Sequence, residues 1–317
     1  MLNEGKTKVA IIGVGAVGGT YAFSLLKSGM AREIVLVDAD RAKAESQAMD
    51  LNHCLSFTSP ANIYAGGFED CADSDMVVIT AGASQNGGKT RLDLVEKNAA
   101  IFRDIIPEIV KYAPDTIILV VTNPVDVLTY LTIRISGLDS GRVLGAGTVL
   151  DSARFRYMIG KRCRVDVRNV HAYMIGEHGD TELPVWSSAN IGGMPLDDYC
   201  PLCGEGCKYR LEIEEILDEV RNSAYKIVEA KGATMYAVAL SMLKISSAVL
   251  RDENSVLAVS TMIDDQYGVS DVCLGMPSMV NRSGVAQTLE LELDQNEQKM
   301  FRKSAETILK VIDGLDL

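Results

Sequence analysis

Val9-Ala10-Ile11-Ile12 runs without a break into Gly13-Val14-Gly15-Ala16-Val17-Gly18, and a helical pattern follows at once. No other feature restricts the fold as much. A short apolar run closed by spaced glycines and then by a helix describes a strand–turn–helix unit with an open helix N-terminus. A second strandlike run, Glu33–Asp38, ends in an acid 20 residues beyond Gly18, the separation of a βαβ unit. Each position has a physical reason. Gly13 permits the tight turn, Gly15 lets backbone approach a pyrophosphate, and Gly18 lets helix and strand pack closely. The N–H groups opening the helix at Ala16 and Val17 face phosphate charge. Asp38 accepts hydrogen bonds from a ribose diol and would repel a 2′-phosphate, so NAD is the predicted dinucleotide rather than NADP. A purely structural glycine turn is the alternative, and the complete strand–helix–strand context weighs against it.

The pattern continues through the front half. Strands are predicted at Val9–Val14, Glu33–Asp38, Met76–Thr80, Thr116–Asn123 and Arg142–Gly147, with helices at Ala16–Gly29, Leu92–Ala113, Val125–Ser136 and Thr148–Cys163. Ile117-Ile118-Leu119-Val120-Val121 lacks polar alternation, as expected of a strand covered on both faces. The predicted fold class is α/β: a Rossmann-type doubly wound parallel sheet over residues 1–147, then a mixed α+β substrate domain over 148–317. In that second part Val167–Ile175 and Val185–Met194 read as longer antiparallel strands. Leu211–Lys231 and Thr234–Arg251 read as helices, Gly284–Leu293 as a strandlike alternation, and Asp294–Asp313 as a closing helix. No flexible linker separates the halves.

Composition limits the function classes. With 47% hydrophobic residues in 317, the chain can bury a sizeable core. A net charge of −12 argues against a nucleic-acid or acidic-lipid surface, so an anionic ligand must be held by local arginines or helix N-termini. No apolar stretch approaches the roughly 20 residues of a membrane span, and Val9–Val17 lacks a cleavage pattern. Seven cysteines, an odd number, suit a reducing compartment, and a cytoplasmic location is expected.

Only three histidines exist. His178, in Gly176-Glu177-His178-Gly179-Asp180, follows an apolar strand and sits among turn residues. That setting fits a general acid/base with a pKa near the ordinary 6.5, or an unremarkable surface-loop histidine. Asp151 and Arg154 stand at i and i+3 on one face of the Thr148–Cys163 helix. Such a pair is either a simple ion pair, or Asp151 orients His178 while Arg154 forks onto a substrate carboxylate. His53 is most simply structural.

Thr122-Asn123-Pro124-Val125-Asp126, Leu150-Asp151-Ser152-Ala153-Arg154-Phe155 and Ile175-Gly176-Glu177-His178-Gly179-Asp180 resemble the L-lactate/malate dehydrogenase family, from about Lys8 to the C-terminal helix. The resemblance implies an NAD-dependent oxidoreductase with His178 as proton donor and acceptor, Asp151 as its partner and Arg154 as carboxylate clamp. It implies that Asn123 holds the carbonyl and nicotinamide side, that Thr234 lines the substrate pocket, and that Gly82 and Val238 join the cofactor contacts. Val238, one turn after Thr234 on a shared helix face, would pack the nicotinamide ring. Arg91 matches the family's mobile-loop arginine, which polarises the substrate carbonyl on closure. A glycine-rich polar segment beyond a carboxyl strand end suits such a lid.

Within the family, the position held by Gln85 separates the two substrates. An arginine there would bind the second carboxylate of malate or oxaloacetate, whereas closing a buried charge over the methyl of pyruvate costs several kcal/mol. Neutral Gln85 therefore points to pyruvate and lactate. The segment departs from the usual pattern: Gly87 replaces a common Pro, and Lys89 a common Glu. Turnover of oxaloacetate therefore stays open. Ala146 replaces the more usual Ser, which removes one hydrogen bond near the nicotinamide. Arg156 and His171 match positions at which bacterial relatives bind fructose 1,6-bisphosphate at a subunit interface. The resemblance thus implies an allosteric homotetramer, while ordinary structural roles for both residues stay open. Cys200, Cys203 and Cys207 have a spacing that tempts a metal reading, but no fourth ligand lies nearby. A non-catalytic NAD-binding sensor on the same fold would need the glycine turn and Asp38, with no reason to keep Arg91, Asp151, Arg154 and His178 together.

Overall fold

A computed structural model describes residues 7–83, 91–200 and 213–315. Its elements, in chain order, are β1 (Lys8–Ile12), α1 (Ala16–Ser28), β2 (Glu33–Val37), α2 (Arg41–His53), β3 (Asn62–Ala65), β4 (Met76–Ile79), α3 (Arg91–Tyr112), β5 (Ile117–Val120), α4 (Val125–Ser136), β6 (Val143–Gly145) and α5 (Val149–Cys163). There follow β7 (Val170–His171), β8 (Met174–Ile175), β9 (Leu183–Pro184), β10 (Asn190–Ile191), β11 (Met194–Pro195), α6 (Leu196–Tyr199), α7 (Ile213–Lys231), α8 (Tyr236–Leu250), β12 (Ser255–Gln266), β13 (Val269–Asn281), β14 (Gly284–Thr288) and α9 (Gln295–Ile312).

One nine-stranded sheet organises the chain, in the order β14-β13-β12-β6-β5-β4-β1-β2-β3. Neighbours from β6 to β3 are parallel, giving the predicted doubly wound core and, at its edge, a strand β3 that has no counterpart in the sequence expectation. Successive strand residues point to opposite faces, and both faces are covered. Ala10, Ile12, Val77 and Ile79 meet Phe102 of α3, Val127 of α4 and Phe301 of α9. Val9, Ile11, Leu36 and Val78 meet Leu25 of α1, Ala48 of α2 and Met242 of α8. Each fully buried Leu, Ile or Phe contributes roughly 1.5–3 kcal/mol. Inside the second layer the Tyr21 and Ser246 hydroxyls bond at 2.6 Å, tying α1 to α8.

Beyond α5 the outcome differs from expectation. Val167–Ile175 and Val185–Met194 are not long strands; the observed pieces β7 to β11 are two residues each. Thr148, just ahead of α5, and Ser152 within it take bonds that a ladder would use: Thr148 Oγ1 donates to the Met174 carbonyl at 2.6 Å, and Met174 N–H donates to Ser152 Oγ at 2.9 Å. Gly176, Gly192 and Gly193, all at positive φ, then turn the chain away. The longest strands, β12 and β13, had no expectation at all. They run antiparallel to each other and join the parallel sheet beside β6, where Ser260 pairs with Gly145. Thus the later half extends the same sheet besides adding a separate three-stranded and a two-stranded piece. Among the described residues no helix is long and apolar enough to cross a membrane.

Candidate active site

Strand order reverses between β4, β1 and β2, and the carboxyl ends there form the crevice in which open α/β sheets bind ligands. Gly13 has φ +93°, and a Cβ on it would lie 2.5 Å from the Ala81 nitrogen. A Cβ on Gly18 would be driven into the Gly13 carbonyl and stand 2.6 Å from Thr80 Oγ1. These two glycines are therefore required by packing. Gly15 is different: a Cβ there would meet only Lys43 Nζ, at 3.8 Å. Its missing side chain opens the crevice at the start of α1, whose first turn has no side-chain cap and no acid. That is the opening a pyrophosphate needs beside the N–H groups of Ala16 and Val17.

Asp38 closes the nucleotide end. Its Oδ2 accepts from Val14 N–H at 2.8 Å and from Lys43 Nζ at 3.3 Å, and Oδ1 accepts from Asp40 N–H at 3.0 Å. Burial works against its charge, but these donors outweigh burial and hold its pKa below the usual carboxylate value. The residues present fit a dinucleotide. Lys43, which faces both Asp38 and Gly15, was missed in the sequence because a lysine on a polar helix face carries no local signal. Across β4, Gly82 is exposed beside Thr122, whose hydroxyl donates to the Ala81 carbonyl at 2.7 Å. Asn123 is exposed at the end of β5, and its carbonyl accepts from Asn98 Nδ2 at 2.7 Å. Ala146 is half-buried at the end of β6.

His178 stands where three elements hold its loop. Gly176 exchanges backbone hydrogen bonds with Gly275 of β13 at 2.9 and 2.8 Å. Glu177 N–H donates to Ser304 Oγ of α9 at 2.6 Å, and His178 N–H donates to Asp126 Oδ2 of α4 at 2.7 Å. The ring is then oriented by Asp151: Nδ1 lies 2.6 Å from Asp151 Oδ2. The other oxygen of the same carboxylate accepts from Arg154 Nη1 at 2.8 Å. The Asp151–Arg154 ion pair and the Asp151–His178 contact are therefore made by one carboxylate. With Nδ1 engaged, Nε2 of His178 has no hydrogen-bond partner among the described residues.

Pairing with Asp151 takes His178 away from an ordinary imidazole. Burial alone would lower the His178 pKa, but the charge and hydrogen bond of Asp151, with Glu182 and Asp126, overturn that and lift it to about 9. Asp151 itself, though burial opposes its charge, is held below the usual range by His178 and Arg154. Asp126 is 1% exposed, and burial raises it to about 6 despite bonds from Ser260 Oγ and His178 N–H. It lies in the quoted Asn123-Pro124-Val125-Asp126 motif, yet its service to the histidine backbone is a long-range fact that no local pattern reveals.

Not every expected residue joins this cluster. Thr234 is half-buried in the turn ahead of α8, not on the helix, so it does not share a helix face with Val238, which is half-buried within α8. Arg91 opens α3, but its side chain, together with Gln85, Gly87 and Lys89, lies outside the described residues. Cys203 and Cys207 lie outside them as well. His171 is exposed at the end of β7, apart from the loop that carries His178. Arg156 is half-buried, its Nε donating to the Ser152 carbonyl at 3.2 Å and its guanidinium 5.9 Å over the Tyr173 ring.

Known proteins match nearly the whole chain. The family model for the lactate/malate dehydrogenase NAD-binding domain matches residues 7–145, and that for the α/β C-terminal domain of the same family matches 148–315. An L-lactate dehydrogenase of Thermoanaerobacter sp. is 53% identical, covering 98% of this chain and 99% of its own. One from Acetivibrio thermocellus is 50% identical over 100% of both chains. The solved minor L-lactate dehydrogenase of Enterococcus mundtii superposes with a TM-score of 0.94 at 39% identity, covering 98% of this chain and 99% of that one. With a glycine turn, an acid-tipped second strand and a carboxylate shared between histidine and arginine, the chain belongs to the lactate/malate dehydrogenase family.

Proposed function

We propose that the protein is an NAD-dependent L-lactate dehydrogenase that interconverts pyruvate and (S)-lactate. The observation that carries this reading is the Asp151 carboxylate, 2.6 Å from His178 Nδ1 and 2.8 Å from Arg154 Nη1. NAD(H), when bound, supplies or accepts the hydride. Gly13, Gly15, Ala16, Val17, Gly18, Asp38, Gly82, Asn123 and Val238 would hold it. In the direction of reduction, Arg154 grips the substrate carboxylate with the donors that Asp151 leaves unused, and Arg91 polarises the ketone. His178 gives the proton on Nε2 to the forming alkoxide. Asp151 keeps the ring in the tautomer and charge state that this requires. Asn123 and Thr234 bound the substrate. Neutral Gln85 favours a methyl group over a second carboxylate at the lid.

His178→Asn tests the reading directly. The expected result is a loss of about 10²–10⁴-fold in kcat/KM with NADH affinity retained, and near-normal turnover would end the assignment.

Two finer features belong to the same proposal. A homotetramer is the assembly the family resemblance implies, and the exposure of Tyr236 and Leu240 on α8, 69% and 61%, supports a contact with another copy there. Fructose 1,6-bisphosphate binds near Arg156 and His171. Support comes from the half-buried Arg156 guanidinium, which has no carboxylate partner among the described residues, and from the exposed imidazole on the nearby strand. Hyperbolic pyruvate kinetics unchanged by the bisphosphate would remove that site.

A further inference from the structure

Glu182 is 3% exposed, and among the described residues no hydrogen bond reaches its carboxyl. Its polar ties are made by backbone: its N–H donates to the Gly179 carbonyl at 3.2 Å, and its own carbonyl accepts from Arg221 Nη2 of α7 at 2.9 Å. Yet this carboxyl belongs to the proton-handling cluster. A carboxylate oxygen of Glu182, one of Asp151 and a ring nitrogen of His178 all lie within 4.8 Å of one another. A cation could not enter without competing for Asp151, which already engages His178 with one oxygen and Arg154 with the other.

The charges around Glu182 come from each packed element. Asp151 and Arg154 face it from α5, Arg221 from α7 and His178 from its own loop, with Asp126 of α4 behind the histidine. Two carboxylates this close in a site shielded from water cannot both ionise freely. Asp151 has two cationic partners and keeps its charge, so Glu182 is the group that stays protonated. Burial first, and the charge of Asp151 second, lift its pKa to about 9 against the pull of His178, Arg221 and Arg154.

We propose that Glu182 is a positioning residue for the proton transfer at His178, a second buried carboxyl which, with that of Asp151, lies within 4.8 Å of the ring and helps the imidazolium keep its proton. This rests on His178 being the proton donor, as argued above. His178 and Glu182 then titrate as one pair. Loss of the Glu182 proton sets a second carboxylate beside the ring and strengthens its hold on its own proton. The form required for ketone reduction persists to higher pH than Asp151 alone would allow.

The test is the pH dependence of kcat/KM for pyruvate with NADH, from pH 6 to 10, in wild type, Glu182→Gln and Glu182→Asp. Glutamine keeps the size and removes the titration. The alkaline limb should fall to lower pH by at least about half a unit, which above both limbs is about a threefold loss. The rise of lactate oxidation should move the same way. Aspartate, ionisable but one methylene back, should fall between. The imidazole resonance of His178, one of only three histidines, should follow the same shifts without any turnover. Unmoved limbs and an unmoved resonance in both variants would overturn the proposal. A wild type with no alkaline limb, or an active His178→Asn, would instead break the reading beneath it.

Discussion

At the scale of single residues, the site depends on donors that are only partly used. Arg154 gives one nitrogen to Asp151, and its remaining N–H groups form the planar fork that a carboxylate fits. Lysine is a point charge on a flexible stem and cannot hold both partners. Arg154→Lys should therefore raise the pyruvate KM steeply and lower kcat/KM by about a hundredfold or more, read from steady-state kinetics at saturating NADH. His178, Asp151 and Arg154 were all legible in the sequence because each sits inside a long motif with its own spacing. Asp126, Glu182 and Lys43 were not. Asp126 meets the His178 backbone across 52 residues and Glu182 comes near Asp151 across 31, and a buried acid looks in sequence like any other acid.

At the scale of elements, the two halves of the chain differ in how much they announce. Five of the six parallel strands read clearly because each is an apolar run with a helix after it, such as α1, closed by Gly29 at φ 67°; β3, a four-residue run with Asn62 and Tyr64 in it and no α-helix directly after it, does not. Nothing comparable marks β12 and β13. Buried runs interrupted by Gly275 and Pro277 have neither the period of a half-exposed strand nor that of a helix. Their place beside β6 depends on a pairing that no local signal encodes. Within the nucleotide turn, a pair of substitutions separates folding from binding. Gly18→Ala forces a methyl into the Gly13 carbonyl and should cost about 2–4 kcal/mol of stability. Gly15→Ala meets almost nothing and should leave the melting temperature nearly unchanged while weakening NADH binding. Denaturant titration and NADH fluorescence titration read the two effects. Asp294 caps α9 with a reciprocal bond to Glu297, so Asp294→Ala should cost about 1 kcal/mol by the same denaturant assay.

At the scale of the whole molecule, the proton-handling cluster ties stability to pH. His178 binds its proton more tightly when folded, with a pKa of about 9 against an ordinary 6.5. Its contribution to stability is complete below about 6.5 and is lost as pH rises through about 9. Glu182, lifted from 4.5 to about 9, acts in the same sense, because holding an anion there costs the folded state. The melting temperature of the cofactor-free protein should therefore fall from about pH 4.5 through Glu182 and more steeply between about 6.5 and 9 as His178 joins it, and Glu182→Gln should flatten the slope across the whole range. Calorimetry across the window checks both.

Three consecutive residues, Gly176, Glu177 and His178, are tethered to β13, α9 and α4 in turn. The imidazole can reach its place only after the last helix has docked and the long hairpin has joined the sheet. During refolding, regained turnover should therefore lag behind regained helix content. A chain shortened within α9 would lose its chemistry before it lost its ability to take up the dinucleotide.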